Sequence, residues 1–589
     1  MCGIIGYVGE HEAAPILFDS LKKLEYRGYD SFGFATSSGG EIHIDKSTGK
    51  ISAGSEKVLA KALPGKMGIG HTRWATHGGV TRENAHPHSD CSRRIVVVHN
   101  GIVENYQSLR KELTSRGHAF RSQTDTETIA HLIEENMASG FESAVRKAVE
   151  RIEGRYALVV MEKGSEELIA VRKGSPLIIG VGEAENFVAS DIPAFLDHTR
   201  NVMYLDDRQM AVLRKDSVKF FNIESGKDIQ KRIVTIEWDA EQARKGDFAH
   251  FMLKEIMEQK ETIMRAINQD EKDIQKIAGE INKAFGTFFI GCGTAGKVCL
   301  TGEYIFSKVA KKHVNFCFGS EFPNYHHFLK PRTLMITISQ SGETADVLEA
   351  VEVAKKEGVK VISLVNVMGS TLDRVSDHTF LINAGPEKAV ASTKATTSQL
   401  ALVTLLAYAS AGKLEEGKRL LIETAAEVND MLNPRYEEHI KRLAERIQRE
   451  PNIYIIGRSL NYPMALESAI KIQEVSYIHA EGFAGGELKH GPLALIDKGV
   501  PCIALVANDD VKKDIISNAM ETKARGAFVI GISPENNEVF DYWIKVPDVG
   551  NASPIVNIIP IQMLAYHLSL LRGNDPDYPK NLSKAVTVK

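Results

Sequence analysis

Cys2 places a thiol beside the chain's own amino group once Met1 is removed, a removal its small side chain permits. An α-amine with a pKa of about 7.7 to 8.0 can take the thiol proton near neutral pH, so such a nucleophile needs no separate histidine. Three further segments carry groups suited to an amino-acid amide: Gly70-His-Thr-Arg-Trp-Ala-Thr-His-Gly78, Val98-His-Asn-Gly-Ile-Val-Glu-Asn105 and Ser122-Gln-Thr-Asp-Thr-Glu127. Arg73 offers a guanidinium for a carboxylate and Asp125 a carboxylate for an ammonium. The Asn100 amide and the Gly101 N–H offer two donors for an oxyanion, each worth ~10²–10³ in rate.

A second set of candidates lies in the carboxyl-terminal half. Gly291-Cys-Gly-Thr-Ala-Gly296 follows a predicted strand and matches GxGxxG, with Glu321 downstream, which keeps a dinucleotide site open as a reading. The next strand runs into Ser339-Gln-Ser-Gly-Glu-Thr344 and then directly into a helix. Hydroxyls, an amide and backbone N–H groups thus meet one positive helix end, which suits a phosphomonoester. Further on, Glu467, Lys471 and Glu474 fall at about 0°, 40° and −20° around a helix and form one polar stripe. Ile470, Val475, Ile478, Leu466 and Ile472 surround that stripe, so the helix is predicted to be buried with the stripe facing a cleft, where burial can tune a carboxylate for proton transfer. A glycine-rich loop, 480–492, carries His490, and the chain ends in a polar, proline-punctuated tail.

The elements that must hold these groups are legible in outline. Up to about residue 238, short β-branched runs at 3–8, 95–99, 156–161, 168–171 and 177–181 are divided by glycines, as in a layered α+β domain. Residues 237–281 change to charged helix, and a domain junction is expected at 238–247. From 285 onward strands alternate with amphipathic helices, such as 345–357 with Val347, Leu348, Val351 and Ala354 at helical spacing and Gly358 as its stop. That alternation predicts doubly wound parallel sheets with ligands at the carboxyl ends of the strands. The programme occurs twice: Phe288-Phe-Ile-Gly291 returns as Tyr454-Ile-Ile-Gly457, and Ile336-Thr-Ile-Ser339 as Ile503-Ala-Leu-Val506, at spacings of 166 and 167 residues. Only the first copy follows its strand with a hydroxyl-rich loop.

Composition narrows the partners. With 589 residues, 43% hydrophobic and 25% charged, the chain is long enough for three or four globular domains. A formal net charge of -4 leaves no overall basic field for nucleic acid or an anionic membrane, so small molecules are the expected partners. No run reaches the roughly 18 uninterrupted apolar residues that would span a bilayer. Six scattered cysteines without a CxxC pair read as reduced thiols of a cytoplasmic protein. A metal reading of His71, His77, His86, His88, His99 and Cys91 lacks helical HxxxH or CxxC spacing, and Pro87 separates two of the histidines, so neither a metal nor a cofactor is expected.

Cys2-Gly-Ile-Ile-Gly, Tyr26-Arg-Gly-Tyr-Asp-Ser31 and the three segments above together resemble the N-terminal-nucleophile glutamine amidotransferases. Over its full length, from Cys2 to the tail 584–589, the chain resembles the glutamine:fructose-6-phosphate amidotransferase family. The resemblance implies a layered αββα N-terminal-nucleophile glutaminase domain followed by two doubly wound α/β sugar-isomerase domains with parallel sheets. The expected boundaries are 2–238 for the glutaminase, 239–284 for a linker and helical segment, 285–425 and 426–575 for the two isomerase domains, and 576–589 for a tail closing the sugar site. It implies that glutamine and fructose 6-phosphate are the substrates, in a homodimer with sugar sites near the subunit interface. It further implies Cys2 as nucleophile, Asn100 and Gly101 as oxyanion donors, and a glutamine pocket of Arg73, Trp74, Thr76, His77 and Asp125, Trp74 also gating ammonia. For the sugar it implies Thr294, Ser339, Gln340, Ser341 and Thr344 at the phosphate, Val390 and Ser392 at the sugar, and His490 in ring opening. Lys584 would form a Schiff base, and Glu474 would shuttle a proton between carbons 1 and 2, supported by Glu467 and Lys471. Ala295 stands where the family often has serine, which removes one phosphate hydrogen bond, typically ~1 kcal/mol. A related amidotransferase acting on another phosphosugar or aldehyde, or a phosphosugar-sensing protein, are the alternatives.

Overall fold

Alternation of side chains along the strands decides the first half of the molecule. In a computed structural model, which describes residues 2–53, 63–236 and 245–587, the strand Ile95–Gly101 sends Val96 and Val98 to one face and Ile95 and Val97 to the other. Val96 and Val98 meet Ile4, Val8, Met67 and Ile69 of a second sheet in a shared core, while Ile95 and Val97 pack under the helices Tyr106–Ser115, Thr126–Asn136 and Phe141–Glu150. Among the described residues the two antiparallel sheets have eight and seven strands. In the eight-stranded sheet Gly3–Val8 lies between Met67–Arg73 and Asn186–Ala189, and in the other Ile95–Gly101 pairs with Tyr156–Glu162. With the helix Ala13–Lys23 against the outer face of the first sheet, the layers run αββα, as expected. The ends of three interior strands therefore deliver Cys2, Arg73 and Asn100–Gly101.

The chain divides into two compact units: described residues up to 236 together with 583–587, and 245–582. The expected removal of Met1 and most of the expected junction near 238 lie outside the described residues.

The second unit contains two five-stranded parallel sheets of the same topology. One runs Asn315–Phe318, Gly286–Gly291, Thr333–Ser339, Lys360–Val365, His378–Leu381; the other runs His479–Ala484, Asn452–Gly457, Pro501–Leu505, Phe528–Ser533, Tyr542–Lys545. Numbered along the chain, each has strand order 2-1-3-4-5, a doubly wound pattern, so the repeat is a repeat of fold. Their inner faces share one core with the helices Lys394–Ser410 and Ser553–Leu571, which are apolar on nearly every side. The latter helix is long and apolar enough to cross a membrane, yet 89% of its most apolar window is buried inside the protein.

The described part of 239–284, expected as a linker and helical segment, is helical and packed: the helices Phe251–Met257, Gln259–Ile267 and Glu271–Lys283 bury Met252, Ile256, Ile263, Ile274, Ile277 and Ile281 in the core of the second unit. A boundary between 425 and 426 would cut the helix Leu414–Met431. That helix ends before Asn433 caps the next helix, Pro434–Ile447, by accepting from the N–H groups of Arg435 and Tyr436.

Candidate active site

Cys2 precedes the strand Gly3–Val8, which pairs with Met67–Arg73, and that register brings its thiol to the backbone of Trp74. The Trp74 N–H donates to Cys2 Sγ at 3.3 Å, and Sγ lies 3.5 Å from the Trp74 carbonyl. Gly3 is required here: a Cβ would sit 2.6 Å from Thr72 Oγ1 and 2.9 Å from Leu24 Cβ. The Asn100 Nδ2 group donates to the Cys2 carbonyl at 2.9 Å, so the amide is already aimed at the nucleophile's own residue. Gly101 has φ +128°, and a Cβ there would lie 2.0 Å from the Arg155 carbonyl oxygen. Burial pushes the Cys2 thiol up, opposed by the Trp74 N–H and the Arg73 charge among other groups. An adjacent proton acceptor is what such a thiol needs to react near neutral pH.

Arg73 and Asp125 are both buried. Arg73 donates to the carbonyls of Gly79 and Gly78, each at 3.1 Å, and to that of His77, so it shapes the loop that carries Thr76 and His77. Burial pushes the guanidinium down, and Cys2, Asp30 and Asp125 pull it back. Asp125 precedes the helix Thr126–Asn136, and its Oδ2 accepts the Val103 N–H at 2.8 Å. Thr76 is exposed, Trp74 and His77 are half-buried, and the His77 ring meets Tyr106 edge-on at 5.2 Å.

In the second unit the helix Tyr462–Ser476 carries the predicted stripe, and the stripe is an ion triad. Lys471 Nζ lies 2.8 Å from Glu474 Oε2 and 3.3 Å from Glu467 Oε1, while the Thr294 hydroxyl donates to Glu467 Oε1 at 3.0 Å. The side chains of Glu467 and Lys471 are 0% exposed and that of Glu474 is 25% exposed. Burial pushes Glu467 up to about 7, countered by Lys471. Lys471 is raised despite its own burial, because two carboxylates hold the charge.

The strand Thr333–Ser339 ends in the hydroxyl-rich loop. Ser339 Oγ accepts the Gly342 N–H at 3.0 Å and lies 3.3 Å from Thr344 Oγ1; Ser341 Oγ accepts the Glu343 N–H at 3.1 Å. The helix Ala345–Lys356 starts at Thr344 without a side-chain cap, which leaves its first N–H groups for a ligand. Gln340 is half-buried at the same strand end. Gly342, φ +66°, is forced, since a Cβ would meet Ser370 Oγ at 2.1 Å. Val390 and Ser392 sit on another loop: the Val390 N–H donates to the Asp577 carbonyl at 3.1 Å, and Ser392 donates to Glu387 at 3.1 Å.

The profile of the glutamine amidotransferase domain matches residues 71–197, and that of the SIS domain matches 280–409 and 446–572. The glutamine–fructose-6-phosphate aminotransferases (isomerizing) of Thermococcus kodakarensis and Pyrococcus horikoshii are 45% and 46% identical to the chain, each alignment covering 100% of both sequences. The chain belongs to the glutamine–fructose-6-phosphate aminotransferase (isomerizing) family. The solved C-terminal domain of glucosamine-fructose-6-phosphate aminotransferase from Francisella tularensis is 33% identical, with a TM-score of 0.53, covering 57% of this chain and 99% of that one.

Against this family's two-site plan, the structure joins some expected residues and leaves others apart. Cys2, Trp74 and Asn100 are in direct contact, as are Thr294, Glu467, Lys471 and Glu474. Thr294 is thereby engaged by the triad. His490 is exposed on the turn Leu488–His490 and makes no side-chain hydrogen bond among the described residues. Lys584 lies in 583–587, the segment grouped with the first unit.

Sequence reasoning missed the residues that hold the others. His71 Nε2 lies 3.1 Å from Asn100 Oδ1 and 3.0 Å from the His99 carbonyl, and burial lowers His71 to about 3, so the ring is neutral and donates through Nε2. Asp30 accepts the Ala75 N–H at 2.8 Å, and Glu387 accepts those of Thr393 and Ala395 at 2.9 and 3.0 Å. His71 and Asp30 lie inside quoted motifs; their roles needed the register that places them.

Proposed function

We propose that the chain transfers the amide nitrogen of glutamine to fructose 6-phosphate and isomerises the adduct, giving glucosamine 6-phosphate and glutamate, the first step of amino-sugar synthesis. The full-length relation to this family carries the reading, and the geometry of both units is compatible with it. In the first unit the Cys2 thiolate attacks the glutamine carboxamide; the Asn100 amide and the Gly101 N–H receive the developing oxyanion, ammonia leaves, and water releases glutamate from the thioester. Arg73 and Asp125 bind the α-carboxylate and α-amine, with Thr76 and His77 lining the pocket and Trp74 gating the ammonia.

In the second unit Thr294, Ser339, Gln340, Ser341 and Thr344 hold the phosphate, and Val390 and Ser392 contact the sugar that His490 helps to open. Lys584 forms a Schiff base at carbon 2, which ammonia then takes over. Glu474 removes a proton from carbon 1 and returns it to carbon 2, so the imine at carbon 2 becomes an amine and carbon 1 becomes the aldehyde carbon. Glu474 is the one triad member open to a substrate, and Lys471, held charged by two carboxylates, is a poor amine nucleophile. The enzyme acts in the cytoplasm as a homodimer and needs no metal or organic cofactor for its chemistry.

Incubation with amide-¹⁵N glutamine and fructose 6-phosphate tests the reading by mass spectrometry. Glucosamine 6-phosphate carrying one heavy nitrogen is the expected product; unlabelled product, or glutamate without amino sugar, overturns it.

A further inference from the structure

A cluster unrelated to either substrate site lies in the first unit. Cys91 sits in the turn between His88–Ser89 and Ile95–Gly101, His118 follows the helix Tyr106–Ser115, and His131 and Glu134 lie one turn apart on Thr126–Asn136. Cys91 Sγ is 3.8 Å from His118 Nδ1 and 3.7 Å from His131 Nδ1. Glu134 Oε2 is 2.9 Å from His118 Nδ1 and 3.1 Å from His131 Nδ1. These four atoms all lie within 4.8 Å of one another. A tetrahedral zinc ion, with Zn–S of about 2.3 Å and Zn–N or Zn–O of about 2.0–2.2 Å, spaces its ligand atoms roughly 3.3–3.6 Å apart. The four distances from Cys91 and Glu134 to the two imidazoles lie within about half an ångström of that spacing, and no pair of the ligand atoms is more than 4.8 Å apart.

The surroundings fit the same chemistry. Each imidazole turns its other nitrogen toward a carboxylate: His131 Nε2 lies 3.8 Å from Glu127 Oε1, and His118 Nε2 lies 3.5 Å from Glu135 Oε1. Glu127 is itself fixed by the N–H groups of Arg121 and Ser122 and the Ser122 hydroxyl, each at 2.7 Å. The Ala119 N–H donates to Cys91 Sγ at 3.4 Å, as N–H groups do to metal-bound thiolates. The His131 side chain is fully buried, whereas those of His118 and Glu134 are 12% and 23% exposed, which leaves an entry path.

We propose that Cys91, His118, His131 and Glu134 form a structural site for a zinc-type divalent cation. One thiolate, two imidazoles and one carboxylate complete a tetrahedron with no open position, so the ion braces the fold and takes no part in chemistry. It ties the turn before the strand that ends in Asn100 and Gly101 to the helix that begins after Asp125. The sequence joined Cys91 to a different set of histidines and expected no metal, because these ligands are spread over 91, 118, 131 and 134 without a compact motif.

The test uses the full-length chain, reconstituted with zinc or cobalt and dialysed free of excess metal. Elemental analysis is expected to find about one zinc per chain, and the cobalt form to show tetrahedral d–d bands with a thiolate charge-transfer band. Cys91→Ala should lower the bound zinc at least about tenfold and abolish the charge-transfer band, and a chelator should lower the melting temperature of the wild type but not of this variant. If Cys91→Ala does not fold, Glu134→Gln carries the zinc-content and chelator measurements. Zinc well below about one per chain in the reconstituted wild type, or a thiolate–cobalt band that survives in Cys91→Ala, overturns the site.

Discussion

Replacing His71 by leucine removes the donor that fixes the Asn100 amide, together with the ring's contacts to the His99 carbonyl and His86. In the structure His71 Nε2 is 3.1 Å from Asn100 Oδ1, while Asn100 Nδ2 is 2.9 Å from the Cys2 carbonyl, so the ring decides which end of the amide faces the nucleophile. Leaving the buried Asn100 oxygen without a donor costs ~1–3 kcal/mol, which is enough to let the amide turn or shift. At about 1.4 kcal/mol per tenfold, glutaminase kcat should fall ~5–150-fold. Loss of the donor itself, by Asn100→Ala, sets a ceiling of ~10²–10³. Because His71 acts through Asn100, His71→Leu combined with Asn100→Ala should be no slower than Asn100→Ala alone. The assay is glutamate release from glutamine, with conversion of fructose 6-phosphate to glucose 6-phosphate as an internal control, and His71→Gln, which retains an N–H donor, should recover part of the loss. An unchanged kcat in folded His71→Leu, or losses that multiply in the double variant, would refute the reasoning.

Gly101→Ala should lower the melting temperature and abolish glutamate release, since its Cβ would lie 2.0 Å from the Arg155 carbonyl at φ +128°; a melt matching wild type would show that the strand end can relax. Glu467, pushed by burial from 4.5 to about 7, keeps a proton in the folded state that the unfolded chain has lost. Its contribution to stability is therefore complete below pH 4.5 and falls as pH rises to 7, by at most about 3 kcal/mol. Glu467→Gln should flatten that slope in melts taken across this window, and parallel curves would contradict the burial argument. Cys2→Ala should stop glutamate release and spare phosphosugar isomerisation, with persistent glutaminase activity as the contrary result. Borohydride trapping with sugar should label Lys584, and label at Lys471 instead would reassign the Schiff base.

Periodicity made much of the fold legible. Short β-branched runs announced a layered α+β domain, the resemblance supplied its αββα order, and the repeated strand-to-loop pattern announced two sheets of one topology. Local motifs placed Cys2, Asn100 and the Ser339–Thr344 loop at strand ends, where the structure has them. What escaped was set by tertiary contact. Glu271–Lys283 reads as charged helix, and only the structure shows that Ile274, Ile277 and Ile281 enter the core of the second unit. His71 could be quoted in a motif without its partner, because pairing of Gly3–Val8 and Met67–Arg73 and the packing of two sheets bring it to Asn100. The Cys91 cluster is the extreme case, since its ligands come from a turn, a loop and a helix.

The stripe Glu467–Lys471–Glu474 shows where sequence reasoning ends and physical structure begins. Helical angles put the three residues on one line and could not distinguish two similar carboxylates. Burial does so. Glu467, fully enclosed, is raised toward the neutral acid by burial, against the opposing pull of Lys471 and the Thr294 hydroxyl. Glu474, a quarter exposed and 2.8 Å from a lysine held charged, is the carboxylate a substrate can reach. Lys471 is held charged between the two carboxylates, so taking a proton from the sugar and handing it back falls to Glu474, the accessible one. Exchanging the environments of the two carboxylates would remove the reachable base while leaving every residue of the motif in place.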